Sequence, residues 1–527
     1  MSPRTVLWVI PAGFFGVFFL LPVVTLLITA LGGATGQTVT QLASRSMLSV
    51  LLFTVAQAAL STVLTVVVAL PGAAVLARFR FPLRGTVEAL SVVAFVMPTV
   101  VVAVAVGQVL SLFGPGADRG LAAILVAHVY FNLAVVLRLV GTYWRQLDQR
   151  PEQAAACLGA SPATVFRTVT LPRIMPAVAS ASAIVFLFTF TSFGIVLLLG
   201  QPGQATLEVE IQRQALFLFD LPLAAALSIV QIGLVVALLV AQGRLTARLG
   251  GSAASGRLRR PRTARQRVAV IMFVVVALLI FLGPVAAVMM RALRVGDGWG
   301  WENFTRLSTI GQDSVLFVPP TQAVANSLLY AVCAALIATV VGGVVAWLLG
   351  TRGTGAGSWD TVWLLPLGVS AVTLGFGILI TFDSSPVNWR ANFWMVPVAQ
   401  ALIAIPFVVR TIAPALQAIG PRVRQAAATL GASPMRVLWS VELPLVGRAV
   451  AVALGFAFAI SLGEFGATLF VARGDRPTVP IMIYRLLGRP GETNQGQAMA
   501  LAAILIVLTG LVVLLTDRWR RPGSPHV

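Results

Sequence analysis

Long apolar runs separated by short polar segments follow one another along the whole chain. Twelve such runs lie near residues 6–30, 48–76, 86–113, 121–142, 174–200, 221–243, 268–290, 322–350, 359–382, 393–415, 446–472 and 498–516. An α-helix needs about 20 apolar residues to cross a bilayer, which most of these runs reach. The pattern predicts an all-α polytopic membrane protein with about twelve transmembrane helices, arranged as six plus six.

Composition excludes a water-soluble globular protein. Hydrophobic residues make up 58% of the 527 positions and charged residues only 10%, and the mean hydropathy is +0.94. The formal net charge of +20 is the kind of value found in nucleic-acid-binding proteins. The basic residues, however, are spread over short segments between apolar runs, where the positive-inside rule places them, and we therefore expect no nucleic-acid partner.

The distribution of arginine predicts how the chain is oriented in the membrane. The densest clusters lie at 78–84, 143–173, 243–267, 416–445 and in the C-terminal tail. Because basic residues concentrate on the cytoplasmic side, these segments and both termini are predicted to be cytoplasmic. We expect a multi-pass membrane protein.

A basic segment divides the chain into two parts. Residues 243–267 contain eight arginines together with a Gly/Ser/Ala tract, a composition typical of a linker. The predicted organisation is a first repeat over 1–242, the linker over 243–267, a second repeat over 268–518 and a cytoplasmic tail over 519–527.

The two parts are related by an internal repeat with an offset of 272 residues. Residues 150–172 read RPEQAAACLGASPATVFRTVTLP and residues 422–444 read RVRQAAATLGASPMRVLWSVELP, with fourteen of 23 positions identical and no gap. Each part has an even number of predicted spans, so the parts are expected to be parallel repeats related by an axis along the membrane normal. We refer to 143–173 as the first loop and to 416–445 as the second loop.

Both loops carry the signals of two short helices joined by a turn. In the first loop an Ala-rich stretch favours helix, Gly159 permits a left-handed end, and Ser161-Pro162 favours the start of the next helix. Gly431 and Ser433-Pro434 repeat this arrangement in the second loop. Two small cytoplasmic helices, present twice in one chain, indicate a docking surface for another protein, although caps on a helix bundle are an alternative.

This repeated pattern resembles the EAA loop of ABC importer permeases. The resemblance implies the type I (MetI-like) importer permease fold and two copies of a cytoplasmic ATP-binding subunit, one at each loop. It further implies an extracytoplasmic substrate-binding protein and a location in the bacterial inner membrane. The resemblance assigns coupling to the ATPase to Glu152, Gln153, Ala154, Ala155, Gly159, Ser161, Pro162, Leu171 and Pro172 in the first loop and to Gln425, Ala426, Ala427, Gly431, Ser433, Pro434, Leu443 and Pro444 in the second.

One position departs from the family pattern. Arg424 stands where the first loop has Glu152, so the second loop has lost its leading acid. If that acid pairs with an arginine of the ATPase, the two docking surfaces are expected to be unequal.

Fused double-length permeases form a narrower group of this family, typified by thiamine and ferric-iron importers. The chain is most similar to the thiamine type, on segments such as AHVYFNLAVVLRL at 127–139 and ISLGEFGATLF at 460–470. The expected function is therefore translocation of a small solute, thiamine first and ferric iron as the alternative, by alternating access. An ion-coupled secondary transporter is the alternative of another class, but it gives no reason for two matching loops.

Four polar or aromatic residues of the predicted spans are candidates for a translocation pathway. Glu464 lies inside an apolar run, where a carboxylate is costly unless it faces a cavity or a partner, and its repeat counterpart is Ser192. Phe193 and Phe465 follow them and are suited to stack on a cationic ring. The alternative for Glu464 is a structural role near a helix kink at Gly463 and Gly466.

His128 and Asn132 are a further pair of pathway candidates. They are one helical turn apart in the fourth predicted span, so both can face the same cavity. Hydrogen bonding between neighbouring helices is the alternative interpretation.

The residue inventory argues against chemistry in the chain itself. The sequence contains no lysine, so all 37 basic residues are arginine and a Walker A lysine is excluded. The two histidines, His128 and His526, and the two cysteines, Cys157 and Cys333, do not form a metal-ligand pattern. We expect no catalytic residue, no metal site and no cofactor, with ATP bound by the partner subunits.

Overall fold

The structure is a computed structural model that describes residues 3–33, 36–247, 258–309, 317–350, 369–383 and 392–520. Ten helices of this part are long and apolar enough to cross a membrane: Trp8–Gly32, Arg45–Arg78, Leu121–Gln146, Pro162–Phe190, Leu221–Arg244, Ala264–Leu293, Pro320–Gly350, Met395–Gln417, Pro434–Gly463 and Glu492–Thr516. Each overlaps one of the predicted apolar runs, and the helices Pro162–Phe190 and Pro434–Gly463 begin 12 residues before their runs. The prediction of an all-α polytopic membrane protein is confirmed.

The third predicted run of each repeat differs from a straight span. In the first repeat it forms two helices, Arg84–Val96 and Thr99–Phe113, and the helix direction bends by 111° between them. Pro98 stands at the bend with an extended backbone (ψ 136°), since proline disfavours helix at the residue before it and donates no hydrogen bond. In the second repeat Ala371–Phe382 is described, whereas residues 359–368 of the predicted run lie outside the described residues.

The fifth span of each repeat is interrupted twice. In the first repeat a π-helical turn, Phe166–Thr170, precedes Leu171–Phe190, and Gly194–Leu199 follows after a short break. The second repeat has Leu438–Glu442, Leu443–Gly463 and Gly466–Val471 in the same order. Pro172 and Pro444 have no N–H to donate to the preceding turn, which explains why the helix widens there.

The same three helices pack together in each repeat. Arg45–Arg78 packs against Leu121–Gln146 and Leu171–Phe190, and Pro320–Gly350 packs against Met395–Gln417 and Leu443–Gly463. Small residues permit the close approach: a Cβ at Gly342 would lie 3.0 Å from the Cγ1 of Val408. Such contacts between small residues are the usual basis of helix association in membranes.

The compact units of the structure do not coincide with the predicted repeats 1–242 and 268–518. One unit comprises Met1–Thr38, Ile211–Ile229 and Arg291–Val527, and the other Val39–Glu210 and Val230–Met290. Within the first unit, the ring of Phe18 lies 5.9 Å from that of Phe382. Within the second, Phe281 lies 6.4 Å from Tyr130. The first helix of each sequence repeat thus packs on helices of the other repeat.

The remaining described elements are short. Helices Leu207–Leu216 and Val479–Leu487 follow the broken fifth spans at equivalent places in the two repeats. Gly36–Leu42 and Glu302–Thr305 are helices, Ser111–Phe113 and Arg306–Ser308 are 3₁₀ turns, and Arg294–Val295 pairs antiparallel with Gly298–Trp299.

Candidate functional site: the two loops

The first loop folds as two short helices around a left-handed glycine. The first helix is Arg150–Cys157 and the second Pro162–Val165, and Gly159 between them has φ +84°. The N–H of Ala160 donates to the carbonyl of Ala155 at 3.1 Å, which closes the helix end. The Oγ of Ser161 accepts from the N–H of Thr164 at 3.2 Å. The predicted helix, turn and helix are confirmed.

The second loop repeats this backbone. Its helices are Pro421–Thr429 and Pro434–Val437, and Gly431 has φ +80°. The N–H of Ala432 donates to the carbonyl of Ala427 at 3.1 Å, and the Oγ of Ser433 accepts from the N–H of Arg436 at 3.4 Å. Backbone geometry is therefore shared by the two loops down to the capping bonds.

The tip of each loop presents an exposed leucine. Leu158 is 89% exposed and Leu430 is 88% exposed, and they occupy equivalent positions next to the left-handed glycines. The predicted coupling residues Gln153, Ala154, Gln425 and Ala426 are exposed beside them, as are Gly159, Ser161, Pro162, Pro172, Gly431, Ser433, Pro434 and Pro444, while Ala155, Leu171, Ala427 and Leu443 are half-buried. Each leucine is accompanied by exposed alanines of the same loop helix, and such a group of exposed apolar side chains is a feature of interaction surfaces.

Glu152, by contrast, faces its own chain. Its Oε2 accepts from the Nη2 of Arg78 at 2.9 Å and its Oε1 accepts from the Oγ1 of Thr170 at 2.7 Å. Arg78 in turn lies over the ring of Trp144, 5.2 Å from its centroid. The carboxylate thus ties the first loop helix to the ends of two membrane spans.

Arg424, at the position equivalent to Glu152, makes the corresponding contact in the second loop, and here the acid is Glu442, at the position equivalent to the neutral Thr170. Its Nε donates to the Oε1 of Glu442 at 2.5 Å, and its Nη2 donates to the carbonyl of Leu416 at 2.9 Å. The other carboxylate oxygen of Glu442 accepts from the Nε1 of Trp347 at 2.6 Å. Glu442 is 2% exposed. A buried carboxylate is stable only when it is paired and hydrogen-bonded, and here both of its oxygens accept a hydrogen bond.

Register shows that these are the same two positions. Glu152 and Arg424 are 272 residues apart, and so are Thr170 and Glu442. The second loop has lost its leading acid, as the sequence indicated, but Glu442 at the start of the following span supplies an acid at the same contact. We call these the 152/170 contact and the 424/442 contact.

Sequence reasoning missed the partners in these contacts. Arg78 and Trp347 lie in distant spans and carried no local signal. Thr170 and Glu442, however, were visible as an aligned pair in which the second member is acidic where Arg424 is basic. A search for compensating changes between the two copies of the repeat would have found them.

The structure places His128 in a polar contact between helices. Its Nδ1 lies 2.9 Å from the Oγ of Ser61 and its Nε2 lies 2.8 Å from the Oγ of Ser192. Asn132 donates to the carbonyl of His128 at 3.0 Å, within the same helix. Both His128 and Asn132 are 1% exposed. These contacts favour the interhelical interpretation, and a role in the pathway stays a prediction.

Glu464 caps the helix that follows the break. Its carboxylate accepts from the N–H of Ala467 at 2.7 Å and from the N–H of Thr468 at 2.9 Å, and also from the Thr468 hydroxyl. An acid is stabilised at such a helix N-terminus by the unpaired N–H groups and the helix dipole. The geometry favours the structural alternative for this residue.

The two aromatic candidates are buried. Phe193 is 6% exposed, and Phe465 is 2% exposed with its ring 5.7 Å from that of Tyr484. Their predicted contact with a solute stays a prediction. Among the described residues, no three His, Cys, Asp or Glu side chains lie together as metal ligands would.

Two parallel repeats of membrane helices, each with a broken fifth span and an exposed two-helix loop, define a membrane transport protein of the permease class. A family model, "Binding-protein-dependent transport system inner membrane component", matches residues 69–251 and again 342–521. The chain belongs to this family, and the spacing of the two matches follows the internal repeat.

Curated relatives extend the similarity over most of the chain. The "Thiamine transport system permease protein ThiP" of Brucella abortus (strain 2308) is 30% identical, over 88% of this chain and 86% of the relative. The protein with the same description in Escherichia coli (strain K12) is 27% identical over 89% and 88%. A "Putative 2-aminoethylphosphonate transport system permease protein PhnV" of Salmonella typhimurium is 29% identical over 49% of this chain and 94% of its own length. The predicted fused, double-length permease is confirmed.

Proposed function

We propose that this chain is the permease subunit of an ATP-driven importer and that its solute is thiamine. The observation that carries the proposal is the pair of matching loops with exposed leucines. The full-length relatives described as thiamine transport permeases support the choice of solute.

Energy enters through partner subunits in this proposal. The chain has no lysine and therefore no Walker A lysine to bind the phosphates of ATP. Two copies of a cytoplasmic ATP-binding subunit dock on the two loops, one each, through the surfaces around Leu158 and Leu430.

The loops are built to transmit movement into the membrane. Each loop helix is held to the start of the following span by the 152/170 contact or the 424/442 contact. From there the chain continues through a π-helical turn into the fifth span, which breaks at Ser192 or Glu464. Closure of the ATP-binding subunits would shift both fifth spans and change the side of the membrane to which the translocation pathway opens.

The other side of the protein receives the solute from an extracytoplasmic binding protein. Helices Leu207–Leu216 and Val479–Leu487 follow the broken spans at equivalent positions, and our orientation places them on the outer side. They are the surface that we assign to the binding protein. Both termini are cytoplasmic in the same orientation.

Reconstitution tests the proposal. The chain is placed in liposomes with its ATP-binding subunit and binding protein, and accumulation of labelled thiamine is measured with ATP, without ATP, and with an imposed ion gradient alone. We expect accumulation only with ATP and both partners. Accumulation driven by the ion gradient alone would contradict the class of transporter, and transport of ferric iron but not thiamine would contradict the solute.

A further inference from the structure

A pocket lies where the end of the linker meets the turn after the span Arg45–Arg78. The N–H of Arg259 donates to the carbonyl of Arg78 at 3.0 Å, and the N–H of Arg80 donates to the carbonyl of Arg259 at 2.9 Å. Phe79 and Arg259 thereby form a parallel bridge. These bonds hold the linker residues in place beside the turn.

Three arginines and an apolar wall line this pocket. Its volume is about 590 Å³, and its lining includes Arg80, Arg260 and Arg267 together with Phe81, Val270 and Ile271. Phe81 and Val270 are buried, at 8% and 6% exposure. The pocket therefore combines buried apolar lining residues with three arginine side chains, all positively charged.

Within the described part of the chain no carboxylate pairs with these three guanidinium groups. Glu88, the nearest acid along the chain to Arg80, pairs with Arg84, and Glu152 pairs with Arg78. Residues 243–267 contain eight arginines and no Asp or Glu, so the linker adds only positive charge. Three guanidinium groups around one open cavity repel one another, and an anion bound there would be favoured.

An exposed apolar surface adjoins the pocket, on the helix that carries Val270 and Ile271. The helix Ala264–Leu293 has the highest mean hydropathy of the described spans, 3.0, and the smallest buried share, 22%. Val268, Ile271 and Met272 on its first turns are each about 60% exposed. An anion that carries acyl chains satisfies both the arginines and this surface, whereas a free phosphate satisfies the arginines alone.

We propose that the pocket binds the phosphate headgroup of an anionic phospholipid of the cytoplasmic leaflet, with the acyl chains along Ala264–Leu293. Basic pockets at the cytoplasmic ends of membrane helices bind such headgroups, and guanidinium matches phosphate geometry in two hydrogen bonds. The proposal is independent of the solute and of the ATP-binding subunit.

The test measures lipid selectivity of the full-length chain in nanodiscs. Spin-labelled phosphatidylglycerol and phosphatidylcholine are compared by the fraction of probe that the protein immobilises. A single arginine near the surface is worth a preference of about fivefold, so we expect the wild type to prefer phosphatidylglycerol by at least this factor. The variant R80Q/R260Q/R267Q is expected to lose that preference.

A matched control variant removes the same number of positive charges, three, from arginines that lie outside the pocket. The variant R244Q/R262Q/R265Q changes three exposed arginines of the same segment that do not line the pocket, and it should keep the wild-type preference. Equal losses in both variants would overturn the site in favour of general surface charge. Displacement of the labelled lipid by millimolar inorganic phosphate would overturn the lipid as ligand in favour of a soluble anion. If the triple variant does not fold, R260Q alone should show an intermediate preference, and an unchanged preference would count against the proposal.

Discussion

The two loops have the same backbone, but the acid stands at a different one of two equivalent positions. In the first loop the acid is on the loop helix, at Glu152, and in the second it is on the following span, at Glu442, opposite Arg424. Each arrangement ties the loop helix to the membrane spans through a charged hydrogen bond. The comparison shows that what the two loops share is a polar contact between the loop helix and the following span, whereas the position of the acid within that contact differs.

Burial separates the ion pair of the second loop, Arg424 with Glu442, from the ion pair of the first, Glu152 with Arg78, in energy. The side chains of Arg424 and Glu442 are 23% and 2% exposed, whereas those of Arg78 and Glu152 are 40% and 18% exposed. Charged pairs lose strength as water screens them, and a buried charge that loses its partner is costly. Changes at the 424/442 contact should therefore have the larger effects.

The largest effect is expected from R424E. It places a second carboxylate beside the buried Glu442, so the free energy of unfolding should fall by about 3 kcal/mol, the lower end for a broken buried pair. ATP-driven uptake should fall with it. Thermal unfolding in detergent and uptake in liposomes are the measurements.

The reversed pair R424E/E442R is the control for this change. It restores opposite charges but leaves the Nε1 of Trp347 without its acceptor, so recovery should be partial. An R424E chain as stable as the wild type, or a double variant no better than R424E, would contradict the role of the contact.

The next largest effect is expected from L158E and L430E. Both leucines are exposed, so the thermal midpoint should not change, while affinity for the ATP-binding subunit should fall about tenfold, as for a central interface residue. The two variants should behave alike because the tips are equivalent. L112E, at a leucine that is 75% exposed and outside the loops, is the control, and an equal loss of affinity in that variant would count against these tips.

A smaller effect is expected from E152Q. The amide keeps an acceptor for Thr170 but loses the charge opposite Arg78, which is 40% exposed. Exposed pairs of this kind contribute up to about 1 kcal/mol. Thermal unfolding should therefore show a loss well below that of R424E, and a loss as large as that of R424E would contradict the difference that we draw between the loops.

The smallest effects are expected from S161A and S433A. Each removes the cap of a helix of only four residues, so the cost should lie at the low end for a lost cap, about 0.5 kcal/mol, and should be the same in both loops because the capping geometry is shared. Unfolding measurements on the two variants test this equality. A clear difference between them would show that the loop backbones are not equivalent.

Local sequence signals predicted the spans, the repeat and the turns of the loops. Gly159 and Ser161 specify their turn through bonds to residues a few positions away, so a short stretch of sequence suffices. The partner of Glu152 was not predictable in this way, because Arg78 lies 74 residues away and the choice of face depends on how the spans pack. The packing of Phe18 on Phe382 was missed for a related reason, since an apolar helix surface does not specify its neighbour.

Glu464 shows how much the sequence alone can establish about a charged residue in a membrane span. The sequence establishes that a carboxylate in an apolar run needs a partner, but not whether that partner is a solute or the backbone. The N–H groups of Ala467 and Thr468 become available only because the helix breaks after Gly463. Two glycines around the acid were the signal that favoured this outcome.

Docking of the ATP-binding subunit on both loops is the central claim, and Cys157 tests it directly. This cysteine is exposed on the first loop helix, and position 429 is its counterpart in the second. The measurement is the rate of maleimide labelling of Cys157, and of T429C in a C157S chain, with and without the ATP-binding subunit, with S111C in the same C157S chain as the control. We predict that the subunit slows labelling at both loop positions and not at the control, whereas unchanged labelling at both loops would contradict the account.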